Sequence, residues 1–199
     1  ASTKAATAQM AVLYLLIAAT AGELPEAKHL LRKGVKEIKA WLTRDVVREI
    51  EGIAKRIVAE EDLFIIGRGT HAALALEAAI KIQEVSYVHA EGFPGGELKH
   101  GPIALIRKGT PCIAFIPNDE TKAKMESNTT ELKARGAYII GIAPSPSDLF
   151  DEWIKVPDLG PIAPIVDIIP VQILAYALAV LRDNDPDKPR NLAKSVTVE

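Results

Sequence analysis

From residue 63 onward, short apolar runs alternate with longer helical stretches, and this alternation restricts the chain to few folds. Leu63-Phe64-Ile65-Ile66 is a compact apolar run that stops at Gly67, as a strand buried on both faces does. Helical spacing follows over 72–87. A loop is expected around Gly92, Pro94, Gly95 and Gly96, then a shorter helix to about Ile106. Pro111–Ile116 reads as a second strand, 120–135 as a helix ending at Gly136, and Ala137–Ala143 as a third strand. Ile154-Lys155-Val156 is a short fourth strand, and 163–182 a long apolar helix. Strands separated by helices require crossover connections, hence a parallel sheet. The expected fold is α/β, a three-layer α/β/α sandwich with extra helices at the N-terminus.

Those extra helices span 3–20, 24–41 and 44–60. The first is apolar on all sides and reads as buried, with Gly22 suited to end it. In the third, Val46, Val47, Ile50, Ile53 and Ile57 recur at spacings of three and four with charges between them, the mark of an amphipathic helix. No uninterrupted run reaches the ~20 apolar residues that span a bilayer. Ala5–Ala21 is interrupted by Thr7, Gln9 and Thr20 and lacks a basic flank, so no membrane role is expected. The chain opens Ala1-Ser2-Thr3-Lys4 directly onto a helix, which reads as the middle of a longer polypeptide.

With 24 basic against 26 acidic residues and no basic block, nucleic acid is not an expected partner. A hydrophobic share of 48% is enough for a packed core. The single cysteine, Cys112, can form no intrachain disulfide, which fits a reducing, cytoplasmic setting. Within an apolar strand it is a poor nucleophile.

Four features bear on chemistry. Gly67-Arg68-Gly69-Thr70-His71-Ala72 has the G-x-G-x-x-A form of a strand–turn–helix anion site. A dinucleotide fingerprint also needs an acidic residue ending the next strand about 20 residues on. Here Val88-His89-Ala90-Glu91 leads into a glycine-rich loop, so the βαβ unit is read as wrong and no nicotinamide cofactor is expected. On helix 72–87, Glu77, Lys81 and Glu84 share one face. A surface charge ladder is the bland reading, but the Ala, Leu and Ile around them suit a proton-transferring pair. His100, in Gly95-Gly96-Glu97-Leu98-Lys99-His100-Gly101-Pro102, can act as acid or base if exposed. No second His or Cys stands at metal-ligand spacing, so no metal is expected. Lys194 is idle if the tail is solvated. If the tail folds into a pocket, its amine can attack a carbonyl and form a Schiff base.

Two stretches carry a resemblance. Glu97-Leu98-Lys99-His100-Gly101-Pro102 and Pro189-Arg190-Asn191-Leu192-Ala193-Lys194-Ser195-Val196-Thr197-Val198-Glu199 resemble the glucosamine-6-phosphate synthases, the isomerising glutamine–fructose-6-phosphate aminotransferases. The likeness extends over Ala1–Lys4, Gly67–Gly69, the Lys81–Glu84 helix and Ser86–Glu91. It implies sugar-isomerase (SIS) domains: 1–45 as the last helices of a first SIS domain and connector, 46–199 as a second with a catalytic tail. It further implies Glu84 as the base moving a proton between sugar carbons, Lys81 as its catalytic neighbour and His100 as the ring-opening histidine of an adjacent subunit. Lys194 would be the Schiff-base lysine, and Ser2 and Ala193 sugar contacts. The expected ligands are fructose 6-phosphate and glucosamine 6-phosphate, with no cofactor, in a homodimer. The glutaminase domain and the phosphate-holding serine/threonine loops of that family are absent from these residues, so little activity is expected of this chain alone. Alternatives are another SIS-type sugar-phosphate isomerase or deglycase, or a non-catalytic sugar-phosphate-binding regulatory module.

Overall fold

A computed structural model describes residues 2–192. Six α-helices and five strands run in the order α1 (Lys4–Ala21), α2 (Leu24–Trp41), α3 (Arg44–Ile57), β1 (Asp62–Gly67), α4 (Thr70–Ser86), β2 (His89–Pro94), β3 (Pro111–Phe115), α5 (Lys122–Lys133), β4 (Tyr138–Ala143), β5 (Glu152–Lys155) and α6 (Ala163–Leu181). The sheet is wholly parallel, ordered β2-β1-β3-β4-β5. Alternate residues of each strand feed opposite layers, as a two-residue side-chain period demands. Leu63, Ile65, Ile113, Phe115, Ile140 and Ile142 pack against α3, α4 and α6. Phe64, Ile66, Cys112, Ala114, Ile116 and Ile139 face Leu98 and the α5 residues Met125 and Leu132. The expected three-layer sandwich is therefore present.

Three local expectations are corrected. Residues 89–94, read as the way into a loop, form β2, whose His89 to Pro94 register with Asp62 to Gly67 of β1. The sheet thus has five strands, not four, and β1-α4-β2 is a true βαβ unit. Glycine and proline, which hide this strand in the sequence, are both explained by its place. Pro94 ends an edge strand, where a missing N–H costs no ladder bond. At Gly92 a Cβ would run into the carbonyl of Ala75, so glycine lets α4 lie directly on β2. The segment beyond β2 is two 3₁₀ turns, Gly95–His100 and Pro102–Leu105, not one α-helix.

Helix α1 is the third correction. Only Ala6 and Ala18 are buried, while Val12, Leu13, Leu16 and Ile17 are each more than half exposed. It forms a hairpin with α2, and Tyr14, Leu30, Leu31, Ile38 and Trp41 pack on Leu159, Ile162 and Val166 at the start of α6. By length and composition alone, two helical stretches, Lys4–Ala21 and Gly160–Leu181, are long and apolar enough to cross a bilayer, contrary to the sequence reading. The second lies in the sandwich, with Val166, Val171, Leu174 and Leu178 buried.

Candidate active site

Helix α4 carries the charged residues singled out in the sequence, Glu77, Lys81 and Glu84. Its start depends on Gly69, the N-cap residue, whose φ of +56° is open to glycine at no steric cost. The helix packs against the sheet on one side and α6 beside it, burying Leu74, Ala75, Ala78, Ile82 and Val85. Lys81 belongs to this buried side and is only 3% exposed. An ammonium so placed must be paired. Its Nζ donates to Glu84 Oε2 at 2.9 Å and lies 3.4 Å from Glu77 Oε1. Both carboxylates remain more than a quarter exposed, so one side of the ladder is sealed and the other meets solvent.

Two openings flank this ladder. A cavity of about 210 Å³ is lined by Lys81, Val85, Thr3, Gln172, Tyr176 and Asp187 among others. Gln172 Nε2 donates to the Thr3 carbonyl at 3.5 Å, which ties the start of α1 to α6 at its rim. A more open cleft of about 310 Å³ is lined by Gln83, Glu84, Tyr87, Arg190, Asn191 and Leu192. Glu84 thus faces the segment leading toward the C-terminus. Tyr87 ends α4 in the left-handed region, and Arg190 lies over its ring.

The sequence-derived site residues do not all come together. Lys81 and Glu84 are together, with Glu77 as a third member. Ser2 is exposed, one residue before the cavity-lining Thr3. His100 is exposed at the end of the first 3₁₀ turn, in the layer on the α5 face of the sheet, opposite the α4 layer. Ala193 and Lys194 lie outside the described residues. Among the described residues, no three His, Cys, Asp or Glu side chains converge as metal ligands would. Cys112 is fully buried, and burial pushes its thiol up to about 12, so it is no nucleophile.

A second buried pair escaped the sequence reading. His71 Nε2 lies 2.8 Å from Asp167 Oδ2, with both side chains no more than 3% exposed. Burial pushes the Asp167 carboxyl above the ordinary range, against the pull of His71. Among the described residues, Asp167 Oδ1 has no hydrogen-bond partner. A sequence signal existed: Asp167 and Gln172 interrupt an otherwise almost wholly apolar α6.

The signature of the SIS domain matches residues 56–182, well over half the chain. The chain belongs to the SIS-domain family. Across its whole length this SIS protein is 44% identical to the isomerising glutamine–fructose-6-phosphate aminotransferases of Thermococcus kodakarensis and of Legionella pneumophila strain Paris, covering 35% and 34% of them. It therefore spans about a third of the length of these curated relatives. Among solved structures it resembles the C-terminal domain of glucosamine-fructose-6-phosphate aminotransferase from Francisella tularensis, with TM-score 0.80 and 35% identity over 95% of this chain and 56% of that one. A glucosamine-6-phosphate deaminase from Thermotoga maritima shares the fold, with TM-score 0.68 at 24% identity over 92% of this chain and 53% of that one.

Proposed function

We propose that this SIS domain is the isomerase portion of a glucosamine-6-phosphate synthase, in which Glu84 and Lys81 move a proton on a sugar phosphate. The observation that carries this reading is the ladder itself: a buried ammonium that lines a cavity, held between two partly exposed carboxylates of which Glu84 lines a cleft. Ketose-to-aldose conversion needs a base that takes a proton from C1 and returns it to C2. Glu84, held at 2.9 Å by Lys81, is set to do so. An imine between Lys194 and the sugar C2 carbonyl forms with loss of water and acidifies the C1 proton. Ser2 and the Ala193 backbone supply sugar contacts. The whole reaction converts fructose 6-phosphate and glutamine into glucosamine 6-phosphate and glutamate, in the cytoplasm. Residues 1–45 are read as the end of a preceding SIS domain and 46–199 as the second.

His100 and α1 support a homodimer. His100 lies across the sheet from Lys81, so ring opening at this ladder calls for a histidine from a second chain. The exposed Val12, Leu13, Leu16 and Ile17 offer an apolar face to cover. A monomer by light scattering at micromolar concentration contradicts this part. A different SIS isomerase or deglycase is separated by its product, and a pure binding module by unchanged affinity after Lys194→Ala with no chemistry in the wild type.

The test is to mix the chain with fructose 6-phosphate and borohydride and map the adduct by intact mass and peptide digestion. The expected adduct lies on Lys194, in this chain or in one carrying the upstream segment of the longer relatives, and disappears in Lys194→Ala. No adduct in either chain sinks the imine assignment. Without the upstream phosphate-holding loops, this chain should form no measurable glucosamine 6-phosphate from glutamine.

A further inference from the structure

Tyr87 caps α4 with φ +57°, a conformation in which glycine is the unstrained choice. A residue kept there against that preference points to work for its side chain. The phenol oxygen of Tyr87 accepts the backbone N–H of Arg190 at 2.8 Å. The Arg190 guanidinium carbon stands 4.1 Å from the centroid of the same ring, within cation–π range. One residue before Tyr87, the Ser86 carbonyl accepts from Asn184 Nδ2 at 3.4 Å. The segment leaving α6 is therefore tied at two points to the end of α4, one turn beyond Glu84. Ring and hydroxyl both engage Arg190, and Glu84 lines the cleft that this clamp encloses.

We infer that Tyr87 is the positioning residue of the terminal segment: it clamps Arg190 and fixes the place beside Glu84 from which the chain runs on toward Lys194. Lys194 follows Leu192 by two residues in the sequence. Holding the start of so short a tether restricts where the amine can reach and reduces the ordering needed for attack on a carbonyl. Tyr87 touches no reacting atom. The catalytic consequence rests on the reading of Lys194 proposed above, while the clamp itself does not.

Trypsin cuts after arginine, so cleavage between Arg190 and Asn191 in the folded chain reads the clamp directly. Tyr87→Leu and Tyr87→Gly should raise the rate at which chains ending at Arg190 appear by about tenfold. Tyr87→Phe, which keeps the ring over Arg190, should raise it less. Borohydride trapping with fructose 6-phosphate should slow about tenfold in maximal rate in Tyr87→Leu, with the half-saturating sugar phosphate unchanged. Wild-type cleavage rates in Tyr87→Leu and Tyr87→Gly, both folded by circular dichroism, overturn the clamp. Faster cleavage with unchanged trapping overturns the positioning role. If no adduct forms on Lys194 either in this chain or in one carrying the upstream segment, the Schiff-base reading falls, and the cleavage rates still decide the clamp.

Discussion

Helix α4 contributes His71 and Lys81, ten residues and about 15 Å apart along its axis, to two buried polar groupings with different surroundings. His71–Asp167 is buried between α4 and α6, both side chains no more than 3% exposed, with Asp167 Oδ1 unpartnered among the described residues. Lys81 is equally buried, yet it lines a cavity, Glu84 lines a cleft, and both Glu77 and Glu84 remain more than a quarter exposed. The buried pair joins two helices and keeps its carboxylate inside the fold. The open ladder places its carboxylates where a ligand can reach them. Burial of the nitrogen partner is common to both, so exposure of the carboxylate is what sets the candidate site apart.

Substitutions should separate the two by readout. Glu84→Gln should cut fructose 6-phosphate isomerisation by about 10²–10⁴-fold, measured in a polypeptide that carries the upstream segment. Urea unfolding should move by less than about 1 kcal/mol, since this carboxylate is already partly hydrated. His71→Ala strands Asp167 in the core and should cost about 3 kcal/mol or more in urea unfolding. His71→Leu with Asp167→Leu should recover most of that loss, because apolar replacement of a buried pair is often neutral. Lys81→Met leaves two carboxylates facing each other and should cost about 1–2 kcal/mol, less than the sealed pair because water reaches them.

The smallest effect is on pH dependence. Burial raises the Asp167 carboxyl above its ordinary value, so the folded chain binds more protons than the unfolded one. Its contribution to stability is full below the ordinary aspartate range and is lost as pH rises through the raised value. Wild type should therefore lose stability relative to Asp167→Asn across that interval, as followed by thermal unfolding. Parallel curves for the two proteins would remove the sealed pair from the comparison.

The contrast also explains what the sequence could and could not disclose. Spacings of three and four within one helix placed Lys81 and Glu84 together, because helical geometry alone fixes that neighbourhood. His71 and Asp167 are 96 residues apart, and no local rule joins them. Apolar runs at Leu63, Pro111 and Ala137 disclosed three buried strands. β2 stayed hidden because Gly92 and Pro94 carry turn chemistry, while their actual roles, close packing on α4 and the end of an edge strand, are tertiary. α1 was misread because an all-round apolar helix states that something covers it, not that its own domain does. The tail motif carried the resemblance, whereas Tyr87 and Arg190 were brought together only by the folded path after α6.

The central claim is that the open ladder performs proton transfer on a sugar phosphate. Its most direct test is to follow solvent deuterium into C1 of fructose 6-phosphate by NMR, in D2O, with the upstream segment present. Wild type should incorporate deuterium and Glu84→Gln should not. Equal incorporation by the two would contradict the account, as would none in a wild type shown to bind the sugar phosphate.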